Sequence, residues 1–475
     1  MTDQPDASLF HRAAQLATNF RASVGERPQR PEVSYKRALA MWDAPMPQSG
    51  SPADAVLEEL VEHATPGING MTGPRFFGWV IGASHPVGVA ADWMTAAWGQ
   101  NAGNHAASPA AAAVETVAQR WLLDVLRLPR DASVGFVTGA TMANFVGLAA
   151  GRGEVLRRVG WNVEANGLFG APPITVLIGD DAHTTVFSAL QFLGLGHDRV
   201  VRIAADARDG TMLPDAFEAA LQRCDGPLIV ITQAGQLNTG GFDPHARIVP
   251  AAHARGAWVH VDGAFGLWAR ACPAYAALAD GVEHADSWAT DGHKWLQTPY
   301  DCGYAIVRDA EAHRRAMTIA ASYLPGVTEG ERDPTHFVPE LSRRARGFAT
   351  WAMLRHLGRD GVSAMVERHC RLAKLIAQRL QAEPGIAVVN DVVLNQVVAR
   401  FGVDAPDATG DALTARTIER LVDDGTCFAG GARWRGRWVL RISVIGWPIT
   451  EADAIRSADA MCAAWRAVRG ANAAG

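Results

Sequence analysis

Lysine is scarce in this 475-residue chain: Lys36, Lys294 and Lys374 are the only ones among 44 basic residues, and arginine supplies the rest. Any chemistry that needs a lysine amine has three candidates. Cysteine is sparse as well. Cys224, Cys272, Cys302, Cys370, Cys427 and Cys462 form no C-x-x-C, and the closest two stand 30 positions apart. That spacing excludes a zinc ribbon, a dithiol redox motif and a disulfide framework, and points to a reducing cytoplasm. There is no excess of either charge, with 44 basic against 49 acidic residues and a net charge of −5. A nucleic-acid footprint and a polybasic membrane anchor are therefore not expected. No apolar run reaches the ~18 residues of a membrane span. The opening MTDQPDASLF shows neither the basic nor the apolar region of a secretory signal, so a cytoplasmic location is expected. G-x-G-x-x-G, G-x-x-x-x-G-K-[ST], H-E-x-x-H and G-x-S-x-G are all missing. Dinucleotide binding, P-loop chemistry, zincin catalysis and a nucleophile elbow have no support, and no metal site is expected.

What is present suits a large folded protein. Hydrophobic residues make up 48% and charged residues 20%, enough for a buried core and about three domains' worth of chain. Residues 1–70 read as polar helix. Pro109–Arg127 reads as a helix capped by Ser108. Apolar runs at 134–137, 174–178, 228–232, 258–261 and 304–307 then alternate with helical patterns near 142–157, 184–194, 214–223 and 246–255. Such alternation predicts a mainly parallel sheet covered on both faces. After about 345 come helices at 346–357 and 362–380, short strands near 387–400 and 438–444, and a last helix at 451–468.

Four segments carry candidate chemistry. In Val134–Asn144 a strand runs through Gly139 into a helix, and the first-turn N–H groups of Ala140 and Thr141 offer a phosphate site. In Ile178–Thr184 a strand ends beside His183. In Trp258–Ala264 an apolar strand ends in Asp262, at the edge where open α/β sheets bind ligands. In Ser287–Trp295, Lys294 sits between His293 and Trp295. Each has a plainer reading: an ordinary βα turn, a structural histidine, a turn-capping aspartate, a surface lysine. Together they match what pyridoxal phosphate requires. That cofactor needs an amine for its aldehyde, a carboxylate for its pyridine nitrogen, a helix N-terminus for its phosphate and a flat group on its ring.

The segments VTGATMAN (137–144), DDAHTTV (180–186), NTGGFDP (238–244), HVDGAFG (260–266), DGHKWLQTPYDCG (291–303) and RRARG (343–347) resemble the group II pyridoxal-dependent decarboxylases. The resemblance runs from about 74 to 447. It implies the aspartate-aminotransferase-like α/β fold, PLP fold type I. The expected divisions are an N-terminal helical dimerisation segment at 1–75, a large mostly parallel sheet domain at 76–345 and a small α+β domain at 346–475. It implies Lys294 as the Schiff-base lysine, Asp262 as the pyridinium partner, and His183 and Ala264 on the two faces of the ring. Gly139, Ala140, Thr141 and His293 fall at the phosphate, with Asp291 close by. Gln236 stands where the family often has a threonine near the ring's 3-hydroxyl. The implied reaction is decarboxylation of an L-amino acid to the amine, in a homodimer. An oxidative decarboxylation to an aldehyde, a transamination and a non-catalytic relative are the alternatives.

The candidate substrate segment is Pro74–Trp79, aromatic and mostly uncharged, with Trp93 and Trp98 further on; ordinary core and dimer-interface aromatics are the plainer reading. The segment's Phe76, Phe77 and Trp79 favour an aromatic or bulky apolar amino acid, while Arg75 leaves an acidic one open. Many relatives carry on a mobile loop a tyrosine that returns a proton to Cα. Here the matching loop, 324–338, holds none of the five tyrosines. His336 is its best proton donor near neutral pH, with Tyr323 and His183 as rivals.

Overall fold

The computed structural model describes residues 5–318 and 331–473. The chain divides into two compact units, one of residues 82–374 with 389–397 and one of residues up to 81 with 375–388 and 398 onward. The expected boundaries at 75/76 and 345/346 are thus not where the contacts change. Arg75 accounts for part of the difference. Its guanidinium is buried and bonds Gly25 O at 2.5 Å, Thr426 O at 2.7 Å and Asp453 Oδ1 at 3.1 Å, tying N-terminal to C-terminal chain within one unit. The second boundary falls inside the helix Gly347–Gln381, whose kink is at Gly358 with φ 60°.

The larger unit is built on a seven-stranded sheet. Its strands are β1 (Ser133–Val137), β2 (Thr175–Gly179), β3 (Val201–Ile203), β4 (Leu228–Gln233), β5 (Trp258–Asp262), β6 (Ser287–Asp291) and β7 (Gly303–Val307), in the order β1-β7-β6-β5-β4-β2-β3. From β6 through β5, β4 and β2 to β3 neighbouring strands are parallel, and β7 is antiparallel to both neighbours. Parallel neighbours need a crossover, usually a helix. Residues 292–302, between β6 and β7, contain no helix, so the chain turns straight back. Because β7 opposes both β1 and β6, the carboxyl ends of β1, β2, β4, β5 and β6 share one edge of the sheet. Strands buried at every position, such as β1, β4 and β5, explain the continuous Val/Ile/Leu runs. The predicted helices appear as Pro109–Val125, Ala140–Arg157, Thr184–Phe192, Pro214–Leu221 and His245–His253.

The other unit contains the helices Pro5–Ser23, Tyr35–Trp42 and Ala53–Ala64, a four-stranded sheet but for Gln396 and Val397, and two later helices. The sheet order is β10 (Gly430–Trp434), β11 (Arg437–Ser443), β9 (Gln396–Phe401), β8 (Ile386–Val388), and the helices are Asp407–Asp424 and Glu451–Ala473. No helix among the described residues is long and apolar enough to cross a membrane.

The RRARG segment is structural in its contacts. Arg343 and Glu115 form an ion pair at 2.7 Å with side chains only 1% exposed, and Arg343 also bonds Ala102 O and Phe136 O. Arg344 pairs with Asp92 and Arg346 with Asp301. These arginines pin the end of β1 and the start of the Gly347 helix.

Candidate active site

The shared edge of the large sheet collects the segments that matter. After β1 the chain passes Gly139 and enters a helix whose first N–H groups have no partner within the helix. The turn lies tight against β7, since a Cβ on Gly303 would stand 2.5 Å from Gly139 Cα. It also faces the lysine loop: a Cβ on Gly139 would meet His293 Cε1 at 3.0 Å and Asp291 Oδ1 at 3.3 Å. Ala140 N–H donates to Asp291 Oδ1 at 2.6 Å, and Thr141 is exposed on the first turn. Gly139, Ala140, Asp291 and His293 therefore converge on one helix N-terminus, whose dipole favours an anion.

Lys294 joins them. Its Nζ lies 2.9 Å from Asp291 Oδ2, and His293 Nε2 lies 3.5 Å from Asp291 Oδ1. His293 Nδ1 accepts the Cys302 N–H at 3.3 Å, so in the neutral ring the proton sits on Nε2 and points toward Asp291. Burial lowers the His293 pKa below the usual imidazole value. Its ring stacks on Tyr300 at 4.3 Å.

Gln297 holds this loop and was not singled out in the sequence. It is fully buried with φ 61°, a left-handed conformation uncommon for a non-glycine residue. Its side chain donates to Lys294 O at 2.9 Å and accepts from Ala83 N at 2.8 Å. Gly82 closes the same contact, since a Cβ there would stand 2.3 Å from the carbonyl oxygens of His293 and Lys294. The sequence signal was only the WLQTP stretch after the lysine.

Asp262 ends β5. Its side chain is buried, Oδ1 accepts the Ala264 N–H at 3.2 Å, and Oδ2 accepts from Asn144 Nδ2 at 3.5 Å. No cation pairs with it among the described residues. A buried carboxylate of this kind fits a protonated ring nitrogen, the helix N-terminus fits a phosphate, and the Lys294 side chain offers an amine beside them. The donor set matches pyridoxal phosphate on all three counts.

The remaining predicted residues are less closely gathered. His183 caps the helix after β2, its Nδ1 accepting the Thr185 N–H at 3.3 Å and lying 2.7 Å from Thr185 Oγ1. Gln236 turns into its own loop, where Oε1 accepts from Asn238 N at 2.6 Å and Thr239 N at 3.0 Å. His336 sits in the turn Pro334–Phe337, which packs on β1 at Gly135, and bonds Asp333 O through its backbone N–H. The structure shows no contact between His336 and Lys294 or Asp291. Tyr323 and residues 324–330 of the loop lie outside the described residues. Phe76 and Phe77 are buried in the other unit, Phe76 stacked on Phe428 at 4.9 Å, and Trp79 is exposed. Arg75 is not available as an anion receptor there, because Asp453 and two carbonyls already occupy its guanidinium.

A mixed seven-stranded sheet whose lysine loop follows β6, opposite a glycine turn and a strand-end aspartate, defines a pyridoxal-phosphate enzyme of fold type I. The family model described as the pyridoxal-dependent decarboxylase conserved domain matches residues 35–401, and the chain belongs to that family. It is a PLP-dependent amino-acid decarboxylase. It is 27% identical to tryptophan decarboxylase 1 of Oryza sativa subsp. japonica, covering 95% of this chain and 91% of that one. It is 26% identical to phenylacetaldehyde synthase of Arabidopsis thaliana, covering 85% and 84%. In fold it is similar to the crystal structure of Oryza sativa TDC with PLP and tryptamine, with a TM-score of 0.91, 24% identity and coverage of 98% and 99%.

Proposed function

We propose that the chain decarboxylates aromatic L-amino acids to their amines, with Lys294 as the cofactor-bearing lysine. The observation that carries the reading is the convergence of Lys294, Asp291, His293 and the Ala140 helix start at one sheet edge, one strand from the buried Asp262 carboxylate. The aromatic preference rests on tryptophan decarboxylase and phenylacetaldehyde synthase among the relatives, and on the absence of a free cation at Arg75.

When bound, pyridoxal phosphate supplies an electron sink for the pair left behind as CO₂ departs. Thr141, through its N–H and hydroxyl, and His293 would bind its phosphate, joined by the Ala140 N–H once that group leaves Asp291 Oδ1. Asp262 would hold the proton on its pyridine nitrogen. Ala264 and His183 would flank its ring, and Gln236 would lie near the 3-hydroxyl. Lys294 would hold the cofactor through its amine, and Asp291, 2.9 Å from that Nζ, would give the free ammonium a carboxylate to rest on. His336 is the group we assign to return the proton to Cα. Burial lowers its pKa, which favours easy proton release once it is charged.

A panel of the twenty L-amino acids, scored for CO₂, amine, aldehyde and peroxide, tests both parts. The expected result is CO₂ released chiefly from tryptophan, tyrosine or phenylalanine, with one amine per CO₂. His336→Ala should slow amine release and raise aldehyde, ammonia and peroxide together, because delayed protonation at Cα would give O₂ time to react there. Unchanged rate and yield in His336→Ala would remove that role. The second reading is oxidative decarboxylation to an aldehyde. It is favoured by the Arabidopsis relative and by the lack of tyrosine in 324–338, and mostly aldehyde from the unmutated enzyme would establish it.

We also infer a homodimer and a cytoplasmic location. Trp93, Met94 and Trp98 are each nearly half exposed along the helix Pro86–Trp98, an apolar surface suited to burial against a second copy. Six free, buried cysteines suit a reducing compartment. An active monomer in sedimentation velocity at assay concentration would contradict the dimer, and recovery from an exported fraction would contradict the location.

A further inference from the structure

Residues two apart on a strand share a face, so Trp258, His260 and Asp262 of β5 point the same way. The helix Ala140–Arg157 lies across that face with Asn144, Gly147 and Gly151, a stripe at helical spacing. The fit is close. A Cβ on Gly147 would stand 2.8 Å from His260 Cε1 and Nδ1, and one on Gly151 would stand 2.7 Å from Trp258 Cδ1. Any larger residue at 147 or 151 would lift the helix and take Asn144 off Asp262. Ser287 of β6 is the register partner of His260.

These residues form a continuous hydrogen-bonded chain. Trp258 Nε1 is 2.9 Å from Ser287 Oγ, Ser287 Oγ is 2.8 Å from His260 Nδ1, and His260 Nε2 is 2.8 Å from Asn144 Oδ1. Asn144 Nδ2 then faces Asp262 Oδ2 at 3.5 Å. Chemistry sets the direction. Ionised Asp262 only accepts, so Asn144 Nδ2 donates to it and Oδ1 accepts the His260 Nε2–H; the bare Nδ1 of the neutral ring then accepts from Ser287 Oγ, which itself accepts the Trp258 N–H. The opposite orientation would aim Asn144 Oδ1 at a carboxylate oxygen. All four donors thus point toward Asp262. Asn144, His260 and Ser287 are wholly buried, and Trp258 is 1% exposed. Burial lowers the His260 pKa to about 3, so the ring carries a single proton throughout the working range.

We propose that Asn144, His260 and Ser287 are positioning residues that hold the Asp262 carboxylate in one orientation for the cofactor's pyridine nitrogen. The proposal rests on the reading of Asp262 as the pyridinium partner and goes beyond it by naming the groups that act through it. A polar chain in a dry interface costs stability unless every member is satisfied, and a satisfied one fixes a single geometry. Its residues make no contact with Lys294, so they act at the ring nitrogen and not at the amine.

The test uses four single variants of the full-length enzyme, Asn144→Leu, Ser287→Ala, Asp262→Ala and Val259→Ala. Val259 is buried on the opposite face of β5 and serves as the packing control. For each, the PLP dissociation constant is measured by absorbance titration, kcat and KM are separated, and the melting temperature of the cofactor-free protein is recorded. Asn144→Leu should weaken PLP binding and lower kcat by about tenfold to a hundredfold, the fold-change of one hydrogen bond to a charged group, with KM nearly unchanged. Ser287→Ala removes only an oxygen, two links further away, and should lose about threefold in both through its share of the same chain. Val259→Ala should lower the melting temperature and leave PLP affinity intact. If Asp262→Ala is impaired while Asn144→Leu and Ser287→Ala bind PLP and turn over normally, the positioning role is overturned. The same holds if their losses follow melting temperature alone. If Asn144→Leu does not fold, Ser287→Ala decides by itself. A normal Asp262→Ala would overturn the reading of Asp262 and the positioning role with it.

Discussion

Lys294→Ala is expected to abolish both turnover and the visible band of the lysine-bound cofactor, while Lys36→Ala and Lys374→Ala keep both. The chain offers three amines, and only one stands among cofactor-type partners. Lys36 is exposed on the helix Tyr35–Trp42. Lys374 sits over the Tyr275 ring at 5.3 Å, an ordinary cation–π contact. Lys294 lies in a loop held by Gln297 and Gly82, with Nζ 2.9 Å from Asp291. Removing a residue that bonds covalently to the reacting system costs on the order of 10⁴- to 10⁶-fold in kcat. The fold should survive, since the side chain is partly exposed and ends in one ion pair. Steady-state rates and absorbance spectra of the three variants check it, and an active Lys294→Ala enzyme would sink the reading.

Asp262→Ala should raise the barrier by about 2–5 kcal/mol, the range for truncating one partner of a buried hydrogen-bonded charge pair. The carboxylate is acceptor-only when ionised and has no cation beside it among the described residues, so a charged ring nitrogen is the partner its position fits. The variant also leaves the Ala264 N–H and the Asn144 amide without their acceptor, at about 1–3 kcal/mol for each buried group not reached by water. A lowered melting temperature is therefore expected together with a folded protein. Circular dichroism separates the two effects from kcat. Near-normal turnover in a folded Asp262→Ala protein would remove the assigned role.

Much of this arrangement is legible in the residues, and the rest fails for identifiable reasons. Strands β1, β2, β4, β5 and β7 announce themselves because strands buried on both faces become uninterrupted apolar runs. β6 does not. Its Ser287-Trp-Ala-Thr-Asp291 carries little branched apolar character, and its strand state comes from β5 and β7 on either side. The three residues of β3 are too short to show a period. Lys294, Asp262 and the Gly139 turn could be singled out because each lies in a local motif. The chain from Trp258 to Asn144 could not, because it joins residues more than a hundred positions apart. His260 in the run W-V-H-V-D was its one local sign, a polar residue inside a buried strand. Arg75 misleads for a related reason. An arginine beside aromatics looks available for an acidic substrate, and only the fold reveals that Asp453, Thr426 and Gly25 have claimed it.

Every role assigned to this site depends on where the cofactor is attached. Borohydride reduction of the holoenzyme, followed by proteolysis and mass mapping, reads that directly. The predicted result is one reduced cofactor per chain, on the peptide that contains Lys294. Attachment at Lys36 or Lys374, or a fully active enzyme with no lysine labelled, would contradict it.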